Sequence, residues 1–598
     1  MHLHPIDWII VAATIAVCFI PSLFFARRSS KNTSEFFASG RAVPWWLMGL
    51  SMVATTFSSD TPNLVTNFVR TEGVAGNWQW WAFVLTGVAT VFFYAGLWRR
   101  SGVLTDLEFY ELRYSGKAAS FVRGFRAVYL GFFFNCMIMA TVNLAACKIA
   151  NIMFGLDRWQ TLIAVGLLNV VFAAHSGLWG VMIIDMIQFF IKMSAVIAAA
   201  YFAVTLPEVG GLSGLVEKLS ARTGPNGLDY LAMLPSFSTN AELAVSIFVI
   251  PLAVQWWAVW YPGAEPGGGS YAAQRMLASK SERDSVAGTL FFNVAHYVLR
   301  PWPWILVGLA SLIIYPELSD IQKAFPHVDP KLIGHDIAYP AMLKFLPVGF
   351  MGLMVGGLIA ANSSTILTHL NWGASYLVHD FYRRFFVSDA SEHHYVNAGR
   401  IATLLLFLGS AATVYLLDTA QDSFNLLLQV GAGTGLLYLL RWFWWRVNAW
   451  SEVVAMVSSF AISVLFLILH QRGIEFGKHE KLLMTVAFTT VCWVLTAFFG
   501  PETDRETLIN FYRKVRPFGP GWRPIQRAAG FTDLDIAAEH ENVPLALLGW
   551  VSGCSAIWSA LFTVGNFLYG RDLYAGILFA VFLFSSAVLA WTINKIWG

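Results

Sequence analysis

The sequence predicts an all-α integral membrane protein with about fifteen transmembrane helices, and two observations support this fold class. Hydrophobic residues make up 57% of the 598 residues and charged residues 13%, whereas a soluble domain carries about a quarter charged residues. Apolar runs of about 20 residues recur along the whole chain, and each is long enough to cross about 30 Å of hydrocarbon. The formal charge of +3 is small and dispersed, so we expect a lipid bilayer and no nucleic acid as partner.

The apolar runs organise the chain. The first helix has no basic region before it and no small-residue cleavage site after it, so we expect a retained helix rather than a signal peptide. The one long charged segment, 500–544, is too short for an independent enzyme domain. The predicted parts are an N-terminal extra helix (1–30), a first group of helices (40–205), a second group (240–443), peripheral helices (449–499), a cytoplasmic loop (500–544) and C-terminal helices (545–598). The spans after the first are predicted near 44–69, 78–98, 126–153, 158–176, 178–205, 240–262, 285–314, 347–376, 398–417, 423–443, 449–470, 481–499, 545–567 and 573–595, with a tight hairpin between 158–176 and 178–205.

Basic residues set the expected orientation, because cytoplasmic loops carry an excess of Lys and Arg. A basic cluster follows the first helix: Arg27, Arg28, Lys31 and Arg41. We therefore expect the C-terminal end of that helix in the cytoplasm. Alternation from there places the N-terminus outside and the C-terminus inside, in a multi-pass protein of the plasma (inner) membrane.

Two predicted spans contain residues that break helices. The 44–69 span has a polar centre that ends in Pro62, and the 240–262 span runs into Pro262 and Pro266. Proline removes an amide donor, and non-helical backbone at membrane depth is tolerated only where it is buried or lines a cavity. Interrupted helices at corresponding positions of two halves indicate a transporter built of inverted repeats. The alternative is that both spans are ordinary membrane helices with a kink and indicate no transporter.

The predicted span near 347–376 is apolar overall but carries a stripe of hydroxyls. Helical spacing places four residues on one face: Ala361, Ser364, Thr365 and Thr368. Small residues let another helix approach closely, and hydroxyls are neutral oxygen ligands for a hard cation such as sodium. The alternative is that these hydroxyls only bond to helix carbonyls or across a helix interface.

Four blocks of sequence resemble the sodium/solute symporters, a family that includes bacterial sodium/galactose, sodium/sialic acid and sodium/proline transporters. The blocks are "SEFFASGRAVPWWLMGLSMVATTFSSD", "LWGVMIIDMIQFF", "QRMLASKSERDSVAG" and "LPVGFMGLMVGGLIAANSSTILTHLNWGASYLVHDFY". Their order and spacing extend the resemblance over roughly residues 1–470. The resemblance implies a leucine-transporter-like fold, in which 40–205 and 240–443 are two inverted five-helix repeats and the other helices are peripheral.

The resemblance also implies the position of the main sodium site. Carried over by motif, its ligands are the carbonyls of Ala54, Phe57 and Ala361 and the hydroxyls of Ser364 and Thr365. Asp185 and Thr368 stand where the family has a second sodium site or a sodium exit path. Leu367 replaces a hydroxyl there, so one sodium ion per cycle is the expectation.

Solute contacts are implied by the same comparison. The polar positions are Thr61, Gln79, His296 and Gln429, and the broken sixth core helix adds Trp257, Trp260, Tyr261 and Glu265 as candidates. Asp60 joins them, because a carboxylate inside a membrane is functional by default. Amides and hydroxyls beside aromatic rings suit a polyhydroxyl ligand.

The sequence therefore predicts a symporter, not an enzyme, that imports a polar solute with Na⁺ by alternating access. A sugar is the first expectation. A carboxylate solute is the alternative if Lys148 and Arg300 face the cavity, and proton coupling through Asp60, Asp185 or His296 is another. The oligomeric state stays open, with a monomer as the simplest case.

Overall fold

The computed structural model describes residues 3–24, 26–258, 265–328, 330, 333–417, 432–532, 535 and 542–597. Within these residues the regular structure is helical, apart from one isolated bridge between Val43 and Ser279. The main helices are α1 (Pro5–Leu23), α2 (Trp45–Thr55), α3 (Thr61–Glu72), α4 (Val74–Ser101), α5 (Gly116–Phe154), α6 (Arg158–Val204), α7 (Ala241–Ala253), α8 (Ser270–Ala278), α9 (Glu282–Ile314), α10 (Phe350–Phe385), α11 (Glu392–Val414), α12 (Gly435–Leu440), α13 (Ala449–Gln471), α14 (Lys478–Phe499), α15 (Arg505–Val515), α16 (Asn542–Leu568) and α17 (Asp572–Trp597). Shorter helices are Ala26–Ser29, Thr33–Ala38, Phe109–Arg113, Gly211–Ser220, Leu318–Ala324, Ala338–Met342 and Arg523–Ala528.

The helices fit a multi-span membrane protein. Among the described residues, ten helices are long and apolar enough to cross a membrane, and three shorter apolar helices accompany them. The predicted span near 423–443 lies partly outside the described residues. The number of about fifteen spans, the two inverted repeats and the boundaries of the parts stay predictions.

The predicted break in the 44–69 span is present. α2 ends at Thr55 and α3 begins at Thr61. Pro62 fits the first turn of α3, where a helix needs no amide donor. The intervening residues leave the C-terminal carbonyls of α2 without helical partners in the protein interior.

The second break follows α7. After the short turn Gln255–Trp257, residues 259–264 lie outside the description, and the chain re-enters a helix at Ser270. Gly268 has a φ of +90°, a backbone conformation that favours glycine, and a Cβ there would press on the end of the Met276 side chain.

The long helices α6 and α10 form the centre of the bundle. α6 packs against α10, α1 and α2. Residues 158–204 are two helices joined at Gly177, whose φ of +57° and ψ of −167° are not helical, which agrees with the predicted division into 158–176 and 178–205. In α10 every residue from 360 to 375 is buried, so the hydroxyl stripe faces protein.

Candidate ion and solute sites

The C-terminal end of α2 is a buried cluster of backbone carbonyls, and side chains from three other helices satisfy them. Lys192 Nζ on α6 donates to Ala54 O at 2.8 Å and to Phe57 O at 3.1 Å. Thr365 Oγ1 on α10 donates to Thr55 O at 2.8 Å. Arg300 Nη1 on α9 donates to the carbonyl of Val53 at 3.1 Å. Cationic groups are favourable here because a helix C-terminus carries partial negative charge.

Four of the predicted sodium ligands lie in this network or directly beside it. The carbonyls of Ala54 and Phe57 converge on one ammonium group. Thr365 Oγ1 lies 3.4 Å from Ala361 O one turn earlier in α10, and its bond to Thr55 O joins α10 to the end of α2. The fifth, Ser364, points its hydroxyl elsewhere and donates to Asp185 Oδ1 at 2.6 Å.

Asp185 and Thr368 are linked by a guanidinium group. Arg275 Nη2 on α8 lies 3.6 Å from Asp185 Oδ2 and donates to Thr368 Oγ1 at 2.7 Å. Ser51 Oγ donates at 2.6 Å to the same carboxylate oxygen, Asp185 Oδ2. All four side chains are buried. The guanidinium of Arg275 therefore bridges the two residues of the second predicted ion site, Asp185 and Thr368.

A cavity of about 260 Å³ opens beside the α2–α3 break. It is smaller than the roughly 300–1,000 Å³ of sites for drug-sized ligands, which suits a small solute. Its walls are the broken helices together with α4, α5, α9 and α10. The predicted residues that line it are Asp60, Thr61, Glu265, His296 and Thr365, and further lining residues include Thr56, Trp80, Thr141, Phe292 and Tyr297.

Other predicted solute residues lie elsewhere. Gln79 is not among the lining residues, and its amide donates to Glu72 Oε2 at 2.5 Å. The indole of Trp257 donates to Ala253 O at 3.0 Å, also away from the lining. Trp260, Tyr261 and Gln429 are outside the described residues.

His296 lies in a π-helical turn of α9, Ala295–Leu299, and Arg300 directly follows this turn. Arg300 Nη2 lies 2.6 Å from His296 Nδ1, and Arg300 Nη1 donates to Thr56 Oγ1 at 3.1 Å. The guanidinium also lies over the rings of Phe57 and Trp304. Arg300 therefore meets helix carbonyls, a hydroxyl and aromatic faces. Both residues line the cavity, and the His296 ring lies edge-on to Trp80.

The remaining charged candidates have protein partners. Glu265 forms an ion pair with Arg126 and lies 3.9 Å from Arg441 Nη2. Lys148 Nζ lies 3.7 Å from Asp336 Oδ2 and does not line the cavity. Neither Glu265 nor Asp60 pairs with Arg300 among the described contacts.

Two site residues were missed by the sequence reasoning, Lys192 and Arg275. A signal was present for Lys192: it is an ionisable residue inside an apolar span, two helical turns after Asp185 and on the same face. Arg275 lies between two predicted spans, 240–262 and 285–314. Its short helix α8 instead enters the protein, where the guanidinium is fully buried.

A buried cavity between two broken helices, with carbonyls and hydroxyls next to it, is the arrangement of a secondary transporter. A sequence profile of the Sodium:solute symporter family matches residues 36–458. The chain belongs to this family, and it is a transporter rather than an enzyme.

Several relatives are similar along most of their length. A sodium/glucose cotransporter of Vibrio parahaemolyticus is 24% identical over 519 residues, which are 84% of this chain and 92% of the relative. The sodium/sialic acid symporter NanT of Aliivibrio fischeri is 24% identical over 475 residues, 76% and 86% of the two chains. A Na⁺-coupled sialic acid symporter, solved in a substrate-bound outward-open state, shares the fold with a TM-score of 0.64 and 18% identity, over 84% of this chain and 99% of that one. Family membership supports sodium-coupled symport.

Proposed function

We propose that the protein imports a small neutral polar solute, in the first place a sugar, together with sodium by alternating access. The observation that carries the proposal is the junction between α2 and α10. There Thr365 lines the cavity and also donates to Thr55 O at 2.8 Å, so the solute wall and the predicted sodium ligands share a residue. Where a helix is broken, backbone carbonyls can bind an ion, whereas in a regular helix they accept hydrogen bonds within the helix.

The coupling follows from this shared wall. Sodium at the end of α2 ties the broken helix to α10 and stabilises the state in which the cavity is formed. By linkage, bound solute raises sodium affinity by the same factor. At −100 mV one sodium ion contributes about 2.3 kcal/mol of electrical driving force.

The charges around the cavity favour a neutral solute over a carboxylate. Arg300 lines the cavity, but its donors already meet Val53 O, Thr56 and His296. Lys148 lies away from the cavity beside Asp336. The aromatic walls formed by Trp80 and Tyr297, which stack with ring centroids 5.8 Å apart, suit the apolar face of a sugar ring.

Uptake into proteoliposomes tests this function. Sugars, sugar acids and amino acids are offered with an inward sodium gradient, and then with choline in place of sodium at fixed pH. Sodium-dependent uptake of a neutral sugar is expected. Uptake that persists in choline and follows the pH gradient would favour proton coupling instead.

Replacing both Ser364 and Thr365 by Ala is expected to raise the sodium concentration for half-maximal uptake by about tenfold or more, equivalent to about 1.4 kcal/mol. Two of the predicted oxygen ligands are lost, whereas the helix keeps its fold because Ala is a good helix former. A matched control removes two buried hydroxyls that donate to carbonyls of their own helices, Thr403 and Thr592. Equal sodium dependence in both double variants would reject the assigned site.

Replacing Thr61 by Val is expected to weaken solute affinity by about two- to tenfold, the value of one neutral hydrogen bond. The change keeps the side-chain shape and removes only the hydroxyl of a residue that lines the cavity. Thr66→Val is the control, since Thr66 lies on the same helix but is buried outside the lining. The half-saturating sodium concentration, measured at saturating solute, should stay constant; a change confined to sodium would assign Thr61 to the ion.

A further inference from the structure

We propose that the ammonium group of Lys192 occupies the main sodium position as a tethered cation, which a sodium ion has to displace in order to bind. The inference goes beyond the proposed function. It rests on that proposal for the assignment of Ala54, Phe57 and Ser364 as ion ligands.

The geometry around Lys192 is that of a bound cation. Its Nζ is 2.8 Å from Ala54 O, in the last turn of α2, and 3.1 Å from Phe57 O, in the break that follows. These are two of the three carbonyls of the predicted sodium site. The same atom lies 5.0 Å from the centroid of the Phe57 ring. The side chain is 1% exposed, so water does not compensate its charge.

A sodium ion and this ammonium group exclude each other. An ion bound to the same two oxygens would lie next to Nζ, and repulsion between like charges is strongest where water is absent. Arg300 adds a second positive charge at the end of α2, because its guanidinium lies 5.7 Å from the centroid of the same Phe57 ring. The carbonyls at the end of α2 thus already bind two positively charged side chains, Lys192 and Arg300.

Asp185 is the group to which a displaced Lys192 ammonium would move. Lys192 lies two turns after Asp185 on the same face of α6. The carboxylate of Asp185 accepts hydrogen bonds from Ser51 and Ser364, and it faces Arg275. Ser364 is itself a predicted sodium ligand, so an ammonium group that moved to Asp185 would release the Ser364 hydroxyl towards the ion. The exchange therefore frees three of the five predicted ligands at once.

Sodium titrations of purified protein test the proposal, with thermal stability as the readout and choline chloride keeping the ionic strength constant. Lys192→Met removes the charge and keeps most of the side-chain volume. We expect it to lower the sodium concentration for half-maximal stabilisation by at least tenfold. Lys192→Arg, which keeps a cation there, is expected to leave this concentration unchanged or raise it.

Lys148→Met is the matched control, because Lys148 is also largely buried, with 10% of its side chain exposed, but pairs with Asp336. It is expected to titrate like the wild type. If Lys192→Met does not fold, Lys192→Gln replaces it, because a neutral amide still donates a hydrogen bond to an α2 carbonyl. A folded neutral variant whose sodium response equals that of the wild type, or is lost, overturns the proposal.

The outcomes also separate this proposal from the proposed function. If the wild type shows no sodium response but the neutral variant gains one, Lys192 occupies the site and the sodium coupling of the wild type is refuted. If the wild type responds and the neutral variant responds identically, the coupling stands and the role of Lys192 is refuted.

Discussion

Asp185→Asn is expected to destabilise the protein by about 3–5 kcal/mol, because it removes the carboxylate from a buried ion pair. Among the described contacts, Asp185 is the one carboxylate within ion-pair distance of Arg275, and the side chains of both residues are fully buried. The amide also cannot accept both of the hydroxyl donors, Ser51 and Ser364, through two equivalent oxygens. Thermal melting of the purified protein and its abundance in membranes measure the effect.

A double-mutant cycle separates the ion pair from other consequences of the change. Asp185→Asn and Arg275→Gln are each expected to lower the melting temperature, and the double variant should lose less than the sum of the two. Asp336→Asn is the control, because Asp336 is partly exposed and its pair with Lys148 is long. Strictly additive losses would show that the two charges do not stabilise one another.

The broken helices could be predicted because their signals are local. A proline and a cluster of small polar residues prevent a regular helix whatever surrounds them, and α2 and α3 separate at 56–60 as expected. The hydroxyl stripe of α10 is equally local, since helical spacing alone places Ser364, Thr365 and Thr368 on one face. The structure then shows that this face is buried against α2 and α6.

The partners of the charged residues could not be predicted, because they depend on contacts between distant parts of the chain. Lys192 bonds to a carbonyl 138 residues away, and Arg300 to one 247 residues away. The periodicity of α6 or of α9 does not specify which backbone carbonyls the end of α2 leaves free. Glu265 illustrates the same limit, since its partner Arg126 lies on α5, in a distant part of the chain.

Arg300→Gln decides between the two classes of solute. If Arg300 is a structural cap of α2, the change should destabilise the protein by about 3 kcal/mol. Two hydrogen bonds from a charged group, to Val53 O and Thr56 Oγ1, are lost at about 1.5 kcal/mol or more each. We expect lower abundance and a lower melting temperature, and the protein that remains should still take up neutral sugars.

The opposite result would identify Arg300 as a solute ligand. In that case Arg300→Gln would keep its abundance and melting temperature, transport neutral sugars normally and lose only sugar acids. Arg283→Gln is the matched control, because Arg283 lies on the same helix but is exposed, and it should leave both stability and uptake unchanged. We expect the structural outcome, because four protein groups already surround the guanidinium of Arg300 on the side of α2: the carbonyl of Val53, the hydroxyl of Thr56 and the rings of Phe57 and Trp304. A carboxylate entering the cavity would have to compete with all of them for a cation that the broken helix already uses.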